Sequence, residues 1–286
     1  AGEFVPQDIA NLLWACATLG MPPPDQLFAR MDARGGEVVG DFKPQEVSNV
    51  MWACATLDMQ PSEEFFGKLC ARAEAVAQDF IPQGISNLMW ACATLETQPP
   101  AGMVGRLCGR AEALVQDFKP QELANFTWAL AKVDVHPPAV LFAGLCGSAE
   151  RLAGGFTVHG LDNFLWALAK LEMPVPPALL DRLYDRAGAQ GPELSTRNLA
   201  SFMRSCAHLR RAPSGLLFHS ICAHAQAKAH EFDDHSASHF LWGCGRLGIH
   251  PPEELVDALV ERAGEIAPEF GPQELSNLMW ALGALE

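Results

Sequence analysis

Positive charge is scarce in this sequence. Of its 286 residues, 20 are Lys or Arg and 34 are Asp or Glu, giving a net charge of −14 and a pI near 5.0. Proteins that coat nucleic acid through diffuse phosphate contacts are basic, so this balance excludes that mode and leaves room only for a local basic track. Long apolar runs are also missing. No stretch of about 18 or more apolar residues occurs, so no segment is expected to span a membrane. Signatures of catalysis are absent as well: there is no glycine-rich phosphate loop, nucleophile elbow or His-Glu-x-x-His. No Cys-x-x-Cys occurs. There is no N-terminal signal or transit segment, but the chain begins directly in a repeat (Phe4-Val5-Pro6-Gln7) and stops inside the eighth copy (Leu285-Glu286). It is therefore expected to be a piece of a longer array.

What is present is a repeat. Trp14, Trp52, Trp90, Trp128, Trp166, Trp242 and Trp280 recur every 38 residues, with one double step centred on Arg204. The clearest statement of the motif is Pro44-Gln45-Glu46-Val47-Ser48-Asn49-Val50-Met51-Trp52-Ala53-Cys54-Ala55-Thr56-Leu57. Eight copies in register, without insertion or deletion, point to a solenoid rather than a single globular core. The nine cysteines fall in two repeat columns only, two and eighteen residues after the Trp column. In the first column Leu130, Leu168 and Leu282 substitute for Cys, which marks an apolar packing site. Structural thiols in a reducing compartment are expected.

Each copy reads as helix, turn, helix. Helix A starts at the Pro of Pro-Gln, where its missing N–H costs nothing. The Phe two residues earlier (Phe4, Phe42, Phe80, Phe118, Phe270) can staple onto the apolar residue at the fourth helical position. Asp8, Glu46, Glu122 and Glu274 fall at the third, where a carboxylate suits the helix dipole and can reach back to the cap. Copies lacking the Pro offer Thr157, Ser195 or Asp233 as N-cap. A prolyl linker then opens helix B. The expected fold is all-α: one α-α solenoid over residues 1–286, with A helices at about 6–19, 44–57, 82–95, 120–133, 158–171, 196–209, 234–247 and 272–285.

The motif Pro-Gln-x-Leu-Ala/Ser-Asn-x-x-Trp-Ala-x-Ala-x-Leu at a 38-residue period, clearest at Pro120-Gln121-Glu122-Leu123-Ala124-Asn125-Phe126-Thr127-Trp128-Ala129-Leu130-Ala131-Lys132, resembles the octotricopeptide repeat family over essentially the whole chain. The resemblance implies a right-handed superhelix and an organellar protein, mitochondrial or chloroplast, acting on RNA: transcript stabilisation, splicing, translation, or membership of a mitochondrial ribosome. The sequence departs from the family where Asp25-Gln26-Leu27 follows the proline triplet instead of a nearby Trp. It departs again where Val158-His159 and Asp234-His235 replace Pro-Gln, and where Arg204 replaces Trp.

Counting from the Trp column as zero, positions −7, −3, +1 and +4 form a stripe away from helix B, expected to line the concave face. The +4 column reads Thr18, Thr56, Thr94, Lys132, Lys170, His208, Arg246 and Ala284. Column −7 adds His159, Arg197 and His235, column −3 adds His239, and column zero adds Arg204. Residues 1–118 carry 7 Lys and Arg against 15 Asp and Glu, and residues 119–286 carry 13 against 19, so totals hide this track. One reading makes it a phosphate-contacting RNA path; the other has the +4 cations complementing helix C-terminal dipoles. The repeated Asn of column −3 has two readings, a contact to a base edge or, as expected of a residue that does not vary, a bond to backbone or to a neighbouring Asn between repeats; the tryptophans are expected to pack between helices. His235 and His239 share a helical face, but two ligands are too few for a metal site, so no metal or other cofactor is expected. The leading expectation is a non-enzymatic protein that follows single-stranded organellar RNA. The alternative is a protein-binding scaffold in a large organellar complex such as a mitochondrial ribosome. No small-molecule substrate is expected.

Overall fold

A computed structural model describes residues 4–286, and all regular structure among them is helical. The chain is an α-α solenoid whose helices pack in sequence order, in two compact units. The first unit runs through Ala149 and holds α1 (Pro6–Leu19), α2 (Asp25–Val38), α3 (Pro44–Thr56), α4 (Glu63–Ala75), α5 (Pro82–Thr94), α6 (Ala101–Ala113), α7 (Pro120–Lys132) and most of α8 (Ala139–Leu152). The second holds α9 (Val158–Leu171), α10 (Pro177–Ala189), α11 (Thr196–His208), α12 (Gly215–Ala227), α13 (Asp234–Leu247), α14 (Glu253–Glu265) and α15 (Pro272–Leu285). Odd-numbered helices are the A helices and even-numbered ones the B helices.

The starts of the A helices follow from their caps. The Lys43 N–H donates to Glu46 Oε2 (2.8 Å), the Lys119 N–H to Glu122 Oε2 (2.8 Å) and the Val5 N–H to Asp8 Oδ2 (3.2 Å). Without Pro-Gln, the caps are side chains: Thr157 Oγ1 accepts from the Gly160 N–H (3.1 Å), Ser195 Oγ from Asn198 (3.2 Å) and Asp233 Oδ1 from Ser236 (2.7 Å). Each such cap stabilises its helix by about 1 kcal/mol. The helices end in a left-handed residue: Gly20, Asp58, Glu96, Asp134, Glu172, Arg210 or Gly248, with φ between 52° and 64°. The following N–H then reaches back, as from Met59 to the Cys54 carbonyl (2.9 Å) and from Arg211 to that of Cys206 (3.0 Å), closing a Schellman turn.

A second tie joins the two ends of a copy. The Nε of Arg34, Arg72, Arg110, Arg186 and Arg262, near the ends of their B helices, donates to the carbonyl of Phe4, Phe42, Phe80, Phe156 and Phe232 respectively, at 2.7–3.0 Å. A hydrogen bond from a charged donor of this kind contributes about 1.5–3 kcal/mol. Four of the phenylalanine rings, Phe42, Phe80, Phe156 and Phe232, are almost without exposure, and Phe4 is half-buried.

Within each unit the A helices pack along one another more extensively than the B helices do. This corrects one part of the helical projection. The +1 column, placed on the outer stripe, is buried: Ala53, Ala91, Ala129 and Ala167 are all 0% exposed. An A helix has an A helix beside it as well as a B helix behind it, so the side facing the next copy is also core. In the seventh copy this column is Gly243, where a Cβ would lie 2.8 Å from the Met203 backbone carbonyl carbon and oxygen. The backbones of α11 and α13 meet there. The tryptophans lie at the outer margin of this contact. Those of the inner copies are half-buried, and Trp14 and Trp280 are 47% exposed.

The nine thiols are free, and eight are buried. Burial pushes Cys54, Cys70, Cys146, Cys206 and Cys222 up to about 12, so these sulfurs stay protonated. No helix among the described residues is long and apolar enough to cross a membrane.

Candidate functional site

The second unit gathers most of the chain's unusual charges on its A helices. Column −4 holds Ala or Ser in every other copy, but α9 carries Asp162 there. Asp162 is largely buried. Its Oδ2 accepts from Asn198 Nδ2 (3.5 Å), and Ser201 of α11 also hydrogen-bonds to its carboxyl. Desolvation raises its pKa; those hydrogen bonds and the nearby charges of His159 and Arg204 act against the rise. Arg204, in the column otherwise held by Trp, is half-buried. Desolvation lowers its pKa, and Asp162 works to keep it charged. The replacement of Trp by Arg thus has a physical partner: the two irregular residues of neighbouring helices form an electrostatic pair.

Two histidines face this guanidinium. His239 of α13 stands against His235, with ring centroids 4.0 Å apart and nearly perpendicular. Burial, then the charges of His235 and Arg204, lower His239 to about 4 despite the opposing Glu274, while His235 Nδ1 lies 3.7 Å from Glu274 Oε1. His208, the last residue of α11, is lowered by burial and by Arg204 and Arg246, with Glu172 opposing. Both rings are therefore neutral near pH 7. In the free protein they present hydrogen-bonding groups rather than positive charges, which narrows the cationic track expected from the sequence.

His208 also forms one side of a cleft of about 580 Å³. Its ring lies 5.3 Å from the Trp242 indole at 39°, and Trp242 continues to Trp280 at 6.4 Å. Arg210, Arg246 and Glu172 complete the polar lining. In the first unit, the equivalent left-handed residue Glu96 neutralises the next +4 cation, with Lys132 Nζ to Glu96 Oε1 at 3.3 Å. Between α11 and α13 that acid is replaced by Arg210, and neither Arg210 nor Arg246 forms an ion pair among the described residues. The structure therefore brings two cations without an ion pair, Arg246 of the +4 column and Arg210 two residues past that column, into one cleft whose lining holds a single acid, Glu172.

Of the residues singled out from sequence, His159, Arg204, His208, His235, His239 and Arg246 come together around α9, α11 and α13. Lys132 lies in the first unit, spent on Glu96. Lys170 and Arg197 are exposed on α9 and α11, outside the cleft lining. Sequence reasoning missed Asp162 and Arg210. Asp162 was legible as the lone acid in a column of small residues. Arg210 gave no signal until its left-handed position was known. The Asn column also behaves differently from expectation. Asn163 Nδ2 meets His159 Nε2 (3.2 Å) and Asn277 Oδ1 accepts from Gln273 (3.1 Å), so in α9 and α15 columns −7 and −3 pair within one helix rather than across copies. No group of three or more metal-ligating side chains occurs among the described residues.

These features define a class: a helical-repeat protein whose candidate site is an open surface built copy by copy on its A helices. The sequence matches the family described as RNA-editing substrate-binding complex 6 protein over residues 2–176, and the chain belongs to that family. No curated protein matches it. The matched residues include the helices of the first unit and α9, and end ahead of Arg204, Arg210 and Arg246.

Proposed function

We propose that the chain is a non-catalytic RNA-binding solenoid that holds single-stranded RNA on the A-helix face of its second unit, within an organellar RNA-editing substrate-binding complex. The observation that carries the reading is the cleft lined by the C-terminal ends of α9 and α11, the linker after α9, and α13. There two guanidinium groups that form no ion pair among the described residues, Arg210 and Arg246, share the lining with the tilted, adjoining rings of His208 and Trp242, against the single acid Glu172. Phosphate oxygens suit the former and an unstacked base suits the latter, a combination typical of single-strand binding. Arg204, His159, His235 and His239 extend the surface along α9, α11 and α13, and Lys170 and Arg197 supply further exposed cations. The family's name favours RNA, and the octotricopeptide-like motif favours RNA and an organelle, mitochondrion or chloroplast; neither names the target.

The test is fluorescence anisotropy with a single-stranded RNA of about 20 nucleotides at several salt concentrations. The parent chain binds with an affinity that falls as salt rises. Arg210→Glu with Arg246→Glu lowers affinity at least about tenfold and flattens the salt dependence by about 0.7 for each phosphate that is no longer neutralised. Unchanged affinity and slope in this double variant would remove the cleft from the RNA path.

A further inference from the structure

The first unit carries a different surface. A cleft of about 640 Å³ runs across the N-terminal halves of α1, α3 and α5. Five side-chain amides line it: Asn11, Asn49 and Asn87 of column −3, and Gln45 and Gln83 of column −7. None of the five side chains makes a hydrogen bond among the described residues, whereas the same two columns pair with each other in α9 and α15. Gly84 opens the cleft further, standing where Asp8 and Glu46 occupy the corresponding turn of α1 and α3. Trp14, 47% exposed, closes one side.

From this geometry we infer that the first unit binds an extended, basic peptide segment of a partner protein, gripping its main chain with the Asn and Gln amides. Three observations lead to it. First, the amides are unpaired and face open space, and each offers both a donor and an acceptor, the complement of a peptide group. Second, the three Asn are identical from copy to copy. A reader that does not vary suits a ligand feature that does not vary, and the peptide backbone is one. Third, the surrounding charge is acidic. Asp79 and Lys43 balance within the lining, Asp8 and Glu46 stand in the first turns of α1 and α3 three residues before Asn11 and Asn49, and residues 1–118 hold 15 acids against 7 bases, so lysine and arginine side chains are favoured and phosphates are not. Spacing agrees. Packed helices lie about 8–10 Å apart, and three residues of polyproline II advance about 9 Å with every backbone group left free. A segment in that conformation presents an equivalent carbonyl to each successive Asn.

The experiment uses the intact chain and fluorescein-labelled synthetic peptides of about 12 residues, one built of Lys-Pro-Pro units and one of Glu-Pro-Pro units. Anisotropy is expected to show binding of the lysine peptide at low salt and none of the glutamate peptide. Asn49→Leu with Asn87→Leu keeps the volume, removes the amides and weakens binding at least about tenfold. Its melting temperature stays near the parent's, because neither amide holds a hydrogen bond within the chain. Should leucine disturb the fold, Asn49→Ser with Asn87→Ser weakens binding by the same factor. The inference is overturned if the lysine peptide does not bind or if the folded double variant binds it as the parent does. It is also overturned if an adenine homopolymer RNA displaces the peptide and depends on the same two asparagines. Binding of RNA to the second unit is read separately through Arg210 and Arg246, so either result stands alone.

Discussion

Replacing His239 by Asn, the residue of its column in six other copies, should make the second unit less sensitive to acid. In the folded chain His239 is lowered to about 4 by burial and by the charges of His235, Arg204 and His208, against an ordinary value of 6.5. The unfolded chain therefore takes up a proton at higher pH than the folded one. This stability is complete above about pH 6.5 and is lost as pH falls toward 4. The full difference corresponds to about 3 kcal/mol. His239 retains some solvent contact, and screening brings the effect to about 1–2 kcal/mol. Urea melts at pH 7 and pH 5 measure it, with hydrogen exchange at the amides of α13 as a local readout, since repeat arrays open in parts. The parent should lose about 1–2 kcal/mol more than His239→Asn between the two conditions. Equal losses in both proteins would refute the burial of a neutral imidazole beside Arg204.

Two further substitutions probe the packing and the cleft. Gly243→Ala places a methyl 2.8 Å from the Met203 backbone and should destabilise by about 1–3 kcal/mol, visible as a lower urea midpoint; an unchanged midpoint would mean α11 and α13 do not meet there. Arg210→Gly relieves a left-handed backbone, as Gly20 and Gly248 already do in their copies, and should raise stability by about 1 kcal/mol while lowering RNA affinity. A fall in stability in the melt would contradict the first effect, and unchanged anisotropy the second.

How far the chain could be read before its structure depended on where the determining interactions lie along it. The A-helix starts were legible because caps are local: Glu46 and the Lys43 N–H are three residues apart, as are Asp233 and Ser236. The helix ends were less so. Asp58, Glu96, Asp134, Glu172 and Arg210 adopt the left-handed conformation without being glycine, and only Gly20 and Gly248 announce it. The arginine ties to phenylalanine carbonyls cross 30 residues and leave no local mark. The buried +1 alanines misled the projection because it gave the helix one neighbour where a solenoid supplies more. At the candidate site the cations were visible, but their state was not. Lys132 is neutralised by Glu96, His208 and His239 are held neutral, and the cleft's cations that form no ion pair among the described residues are instead Arg210 and Arg246.

The arginine-to-carbonyl ties have a consequence for how such a chain comes into being. Each closes a span of 30 residues and joins the end of a copy to its own beginning. None recruits a residue from a distant copy. Contacts this local favour fast folding that can start in any copy and spread to its neighbours. They also make the 38-residue segment a cassette. Duplicating or deleting one leaves the ties of every other copy intact, so the array can lengthen in steps while individual copies drift, as the sixth has done around Arg204.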